Sequence, residues 1–476
     1  MKFVRCVFGI LLIACVALAA GAEKTVSSTR ENQAGLEVTV YNNDLGLVKD
    51  TRTVELPQGR CELCFMDVAA TINPVTVSVE SRGAAGQFSV LEQNYEYDLI
   101  NEEKLLDKYV GKKIKLVNFN QYQDKKETVE ATLLSNNNGQ VYRINDEIYC
   151  GHPGEKVLPK LPDNLVATPT LTWLVSSKSA KPHRLEVSYL ASAIGWTADY
   201  VLSLDKNDAA GNLSGWVSID NNSGAMYKDA RLKLVAGEVN RVSGFGGDKV
   251  SRLSKNKAEV YMAEAPRFEE KAFFEYHLYD LAGTTTLKDK QKKQIRLLEA
   301  PAVKVKKEFL INDVANYTAR TFRDQKEKKP VNVFISLVNS KENGCGMPLP
   351  AGTMRIYKKD ADESLQFVGE DRIEHTPKDE TIRLKIGEAF DIVAEKTQTD
   401  FRELSTKLYE SEWEITIRNH KDQDVSVGIV EPVSGNWKIT QNNRPFKKLD
   451  AFTIRFDVSV PKDQSATVIY RIQVGL

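Results

Sequence analysis

The segment FTIRFDV (residues 452–458) and its neighbour VIYRIQV (residues 468–474) decide the fold class. In each, every second residue is apolar, and Thr453, Arg455, Asp457, Arg471 and Gln473 fall between. A period of two sends alternate side chains to opposite faces of an extended chain, so both segments read as half-buried strands. The same alternation recurs in LEVTVY (36–41), RLEVSY (184–189), RLKLV (231–235), VNVFISL (331–337) and WEITI (413–417). Many short strands separated by Asn, Asp and Gly turns predict a mostly-β, multidomain protein of antiparallel β-sandwiches.

Turn chemistry divides the chain further. Residues 112–119, 127–134 and 140–144 predict three strands, the last two joined through Asn136-Asn137-Asn138-Gly139, whose residues tolerate the positive φ of a hairpin. Pro153, Pro159 and Pro162 mark the exit. Residues 95–160 therefore read as a small barrel-like β module inserted into an N-terminal sandwich made of 23–94 and 161–240. A Gly-rich and then charged stretch, 241–270, has linker composition, and 271–476 reads as a C-terminal sandwich. Helical signal is sparse. Residues 101–111 fit a short helix with Asn101 as cap and Gly111 as stop, and 400–408 reads equally as a helix or an irregular strand. A weak echo links 215–222, 331–339 and 413–419, each an alternating strand that ends in Asn before a polar turn.

The N-terminus reads as a secretory signal: Lys2 and Arg5, an apolar run over 6–20, then Ala20-Gly21-Ala22, with cleavage expected after Ala22. Leu12-Ile13-Ala14-Cys15 also fits a lipoprotein box, which would leave Cys15 lipidated. The expected location is thus the periplasm, cell surface or exterior, with no transmembrane segment after cleavage. The chain carries 65 basic and 65 acidic side chains, and removal of the signal takes away only two basic ones. So balanced a chain has no overall field for nucleic acid. Cys61, Cys64, Cys150 and Cys345 remain beyond the signal. Cys61 and Cys64 fall on opposite faces of a predicted strand, which argues against a redox pair and for buried structural thiols. The other cysteine pairings stay open.

Four C-terminal phrases carry a family resemblance: FFEYHLYDLAGTTTLKDKQKKQI (273–295), GMPLPAGTMRIYKKD (346–360), FVGEDRIEHTPKDE (367–380) and GEAFDIV (387–393). With YNNDLGLVKDTR (41–52), VLEQNYEYDL (90–99), GWTADY (195–200), GWVSIDNNSG (215–224) and ARLKLVAG (230–237), the chain resembles the domain of unknown function 4139 family of exported bacterial proteins. The segments around GWTADY and DNNSG are also similar to a mucoidy-inhibitor-like group. The resemblance implies an envelope setting and supplies no activity.

Recognised catalytic signatures are missing: there is no HExxH, GxSxG or phosphate-binding Gly loop, and no cofactor is expected. Asp220 to Gly224 lacks the Gly and Glu of a calcium loop and reads as a hairpin turn. Two clusters remain. Glu370, Asp371, Glu374 and His375 bring acids beside an imidazole, the raw material of a general acid–base pair or a divalent metal site. Against this, a strand and turn would simply display them to solvent. Lys288, Lys290, Lys292, Lys293, Arg296, Lys304, Lys306 and Lys307 form a cationic stretch that, gathered on one face, would suit an acidic polysaccharide or lipid headgroups. The leading expectation is a non-enzymatic envelope module that binds an envelope protein or polysaccharide, and the alternative is a hydrolase built on Glu370 to His375.

Overall fold

The computed structural model describes residues 24–83, 87–96, 100–120, 125–160, 162, 167–237, 239–240, 268–313, 315–320, 326–360 and 362–476. Strands make up 66% and helices 4%, so the chain is mostly β with several sheets, as the alternation predicts. The expected signal, residues 1–22, lies outside the described residues, as does 241–267 of the expected linker. No described helix is long and apolar enough to cross a membrane.

The chain divides into two compact units, 48–190 with the residues up to 36, and 37–47 with the residues from 191 onward. Residues 191–240, expected within the N-terminal sandwich, fall in the second of these units. Strand Ile194–Leu204 runs parallel to Gly352–Lys359, from Ala198 beside Gly352 to Leu204 beside Lys358. Strand Ala210–Asn221 pairs with Gln291–Asn312. Periodicity reports which face of a strand is buried and is silent on its distant partner, so these strands looked like part of an N-terminal sandwich.

In the first unit, Lys24–Ser28, Gly59–Met66, Thr170–Ser177 and Phe88–Glu96 form one sheet in that order. Cys61, Leu63, Phe65, Leu171, Trp173 and Val175 are its fully buried face. The inserted module is a five-stranded antiparallel sheet, Glu147–Cys150, Val141–Ile144, Lys125–Ser135, Lys113–Asn120 and Glu155–Val157, with one helix, Glu102–Tyr109. Asn101 Oδ1 caps that helix by accepting the Lys104 N–H at 2.8 Å, and Gly111 ends the turn at φ +81°. Leu106, Tyr109, Ile114, Leu116, Ala131, Leu133, Tyr142 and Ile144 fill its own small core.

In the second unit, the 22-residue strand Gln291–Asn312 joins two sheets. Residues 291–304 pair with Ala210–Asn221. After a bulge at Ala302 (φ +55°), residues 305–310 pair with Asn332–Val338, and 309–312 run parallel to Val425–Pro432. The C-terminal sandwich packs Val425, Val427, Ile429, Ile454, Phe456 and Val458 of this side against Ile392, Trp413, Ile415, Val468, Tyr470 and Ile472 of a sheet ordered Glu327–Lys329, Ile392–Ser405, Leu408–Asn419, Ser465–Gly475, Asn436–Asn442. Of the ambiguous stretch 400–408, residues 400–405 end the irregular strand Ile392–Ser405, which has bulges near Gln398 and Glu403, and the rest turns into Leu408–Asn419.

The sequence echo has a physical basis in three buried asparagines. Asn221 Nδ2 donates to the carbonyls of Ala225 (2.9 Å) and Lys288 (3.0 Å). Asn339 Nδ2 donates to Met347 (2.8 Å) and Pro377 (2.9 Å), and its Oδ1 accepts from Gly346 N. Asn419 Nδ2 donates to Gln423 (2.9 Å) and Pro461 (3.1 Å), and its Oδ1 accepts from Lys421 N. Each buried amide closes the end of a strand by satisfying backbone groups of the loops around it. Replacing Asn339 or Asn419 by Ala strands those carbonyls. We expect each change to lower the unfolding free energy by about 2–3 kcal/mol in urea titration, with the exposed Asn436→Ala near zero.

Candidate functional site

The acid–histidine cluster does not assemble. Glu370, Glu374 and His375 are exposed and Asp371 is half-buried. Strand Leu365–Ile373 sends Glu370 to one face, where its carboxylate meets Arg355 at 3.1 Å. Asp371 points the other way and spends both oxygens on backbone, accepting Arg372 N (2.8 Å) and Lys385 N (2.7 Å). His375 Nδ1 accepts the Ala351 N–H at 3.2 Å. Among the described residues no group of three or more His, Cys, Asp or Glu side chains is placed to hold a metal ion.

The cationic stretch splits in two around the Ala302 bulge. On the near side, Lys288 and Lys290 sit in the turn before the long strand, with Lys290 at φ +55°. Lys292 and Gln294 are exposed on one face, as their spacing predicts. Lys293 folds back to donate to Thr286 O at 3.0 Å, and burial together with the charge of Lys288 lowers its pKa. Arg296 pairs with Glu299 at 2.7 Å and lies over the Trp216 ring.

On the far side, Lys304, Lys306 and Lys307 border two open grooves that share Lys306. One, of about 540 Å³, lies between Lys304, Lys306, Ser336, Ser340, Asn343 and Thr381. The other, of about 450 Å³, lies between Lys306, Lys307, Lys447 and Arg455, with Glu308 and Asp457 as its acids. The second groove therefore has four cationic and two anionic side chains. Its internal pairs are Lys306–Glu308 (2.8 Å), Lys447–Asp457 (3.0 Å) and Arg455–Asp457 (2.6 Å). The lysines of the first two pairs are three-quarters exposed, so water already competes with their partners. The spacing of the lysines was visible in the sequence. Lys447 and Arg455 were not linked to them, because their strands reach the groove only through the parallel pairing of 309–312 with Val425–Pro432.

Sequence reasoning also missed a buried charged group. Lys396, Glu431 and Asp313 converge inside the C-terminal sandwich, with side chains 2%, 0% and 10% exposed. The signal was present. Ile392, Ala394, Lys396 and Gln398 share one strand phase, as do Val425, Val427, Ile429 and Glu431, so both ionic residues occupy inward positions.

Cys64, Cys150 and Cys345 are free thiols. Cys61 is buried as expected, but Cys64 is only half-buried, on the opposite face beside Glu62. Burial first, then the Glu62 charge and hydrogen bond, raise its pKa, which is the wrong direction for a reactive thiolate.

No protein-family model matches the chain, and no curated protein does.

Asp208 holds Lys307 from outside the groove lining, accepting from Lys307 Nζ (2.8 Å) and Lys358 Nζ (2.6 Å). Burial pushes its pKa up, but the hydrogen bonds and charges of the two lysines outweigh burial and hold it below the ordinary 3.8. A lowered carboxylate pKa stabilises the fold above the unfolded value, and the effect fades as pH falls through the folded one. Asp208→Asn is therefore expected to lose about 1 kcal/mol at neutral pH, and its gap from the parent should close below pH 3.8 in acid unfolding curves.

Proposed function

We propose that this chain is an exported envelope protein related to the domain of unknown function 4139 family, and that it binds an acidic polysaccharide without transforming it. The observation that carries this reading is the pair of grooves meeting at Lys306, with Lys304, Lys307, Lys447 and Arg455 around them. Open grooves beside a long strand suit an extended ligand, and an excess of cations on flexible stems suits repeated carboxylates. Lys306 and Lys447 are themselves three-quarters exposed, so a ligand can compete for them at little cost. The hydrolase alternative has less support: Asp371 and His375 already hold backbone N–H groups, and Glu370 is tied to Arg355. An envelope location rests on the Lys2 to Ala22 signal pattern and on the family resemblance.

Calorimetric titration of the mature chain with a polyuronate is the test. Binding should weaken with added salt. The double change Lys306→Ala with Arg455→Ala should lower affinity at least tenfold, or about 1.4 kcal/mol. Lys292→Ala, beyond the bulge, and Glu374→Ala with His375→Ala should leave it unchanged. No binding, or equal losses in all variants, would refute the reading.

A further inference from the structure

Lys396 is a buried charge in the C-terminal sandwich. Its Nζ lies 3.0 Å from Asp313 Oδ2 and 2.9 Å from Glu431 Oε1. None of these three atoms has an aligned hydrogen bond among the described residues, although they are close enough for ion pairing. The Trp413 ring lies 4.7 Å from the ammonium, and the Tyr317 and Tyr470 hydroxyls both donate to Glu431 Oε2. Asp313 Oδ1 is held separately by Lys329 Nζ at 2.8 Å. An amine, a carboxyl and a second carboxyl thus meet where water is largely excluded. In such a place the charged groups lose solvation and are held by one another.

We propose that Lys396 and Asp313 become joined by a side-chain amide, formed by the folded protein itself. Glu431 takes a proton from the Lys396 ammonium, and the freed Nζ attacks Asp313 Cγ. Negative charge gathers on Oδ1, where the Lys329 ammonium already sits to stabilise it. Oδ2 collects the two protons given up by the nitrogen, relayed by Glu431, and leaves as water. One N–C bond forms, one C–O bond breaks, no electron is transferred, and Glu431 ends as the carboxylate it began as. Fixed proximity replaces the external activation that an amide in water needs, since held reactants behave as if at very high concentration. Burial raises the pKa of Asp313, but Lys396 and Lys329 outweigh it and lower the pKa, which favours the ionised form. Asp313 follows the long strand and Lys396 lies on the facing sheet, so the amide would clamp the two sheets of the sandwich together.

Intact mass spectrometry of the full purified chain, followed by peptide mapping, tests this. The expected result is a chain one water lighter than its processed sequence, with a branched peptide linking Lys396 to Asp313. A chain at full mass after prolonged incubation overturns the proposal, and so does a water loss that maps to any other residue. Glu431→Gln, where it folds by circular dichroism, should stay at full mass with both reacting residues intact. A folded Glu431→Gln chain that still loses water removes Glu431 from the mechanism. The parent's mass decides the bond itself, whatever the variant does.

Discussion

The strand Gln291–Asn312 is the constraint on which the second unit depends. A strand of 22 residues cannot stay in one flat sheet, and here the Ala302 bulge bends it from one set of partners to another. Before the bulge it completes a ladder with Ala210–Asn221; after it, the strand becomes an inner strand of the C-terminal sandwich. The bulge also separates the lysines. Lys292 and Lys306 are 14 residues apart, up to about 45 Å along an extended chain at ~3.3 Å per residue, so one compact ligand does not meet both. A single cationic run in sequence becomes two surfaces, and the far one borders two grooves.

Two kinds of charge coexist in this unit, and their energetics differ. Lys306 and Lys447 are paired at the surface, where an ion pair contributes little and is easily exchanged for another partner. Lys396 is buried against Glu431 and Asp313, where loss of one partner strands the others at a cost of about 3–5 kcal/mol. The first kind suits reversible binding. The second suits a fixed structural role or internal chemistry. Burial is what separates them.

Local patterning made the fold class readable, but not the partnerships. Phe456, Val458, Tyr470 and Ile472 are buried in the phase their alternation predicts, and the Asn101 cap with the Gly111 stop marks the one helix of the inserted module. Ile194–Leu204 finds its parallel partner some 150 residues later, which was not legible because a parallel pairing leaves no turn signature. The acid–histidine cluster looked chemical because its residues are adjacent in sequence, yet adjacency in a strand sends Glu370 and Asp371 to opposite faces. Lys396 and Glu431 were legible as polar residues in an apolar phase. Their meeting depends on two strands in facing sheets, which no single segment encodes.

The central claim is that the Lys304 to Lys307 edge is the binding surface. Hydrogen–deuterium exchange of the mature chain, with and without a polyuronate, reports on it residue by residue. The account predicts slower exchange over residues 304–309, 336–343 and 447–457, with residues 365–376 unchanged. Protection centred on Glu370 to His375, or none anywhere in the second unit, would contradict it.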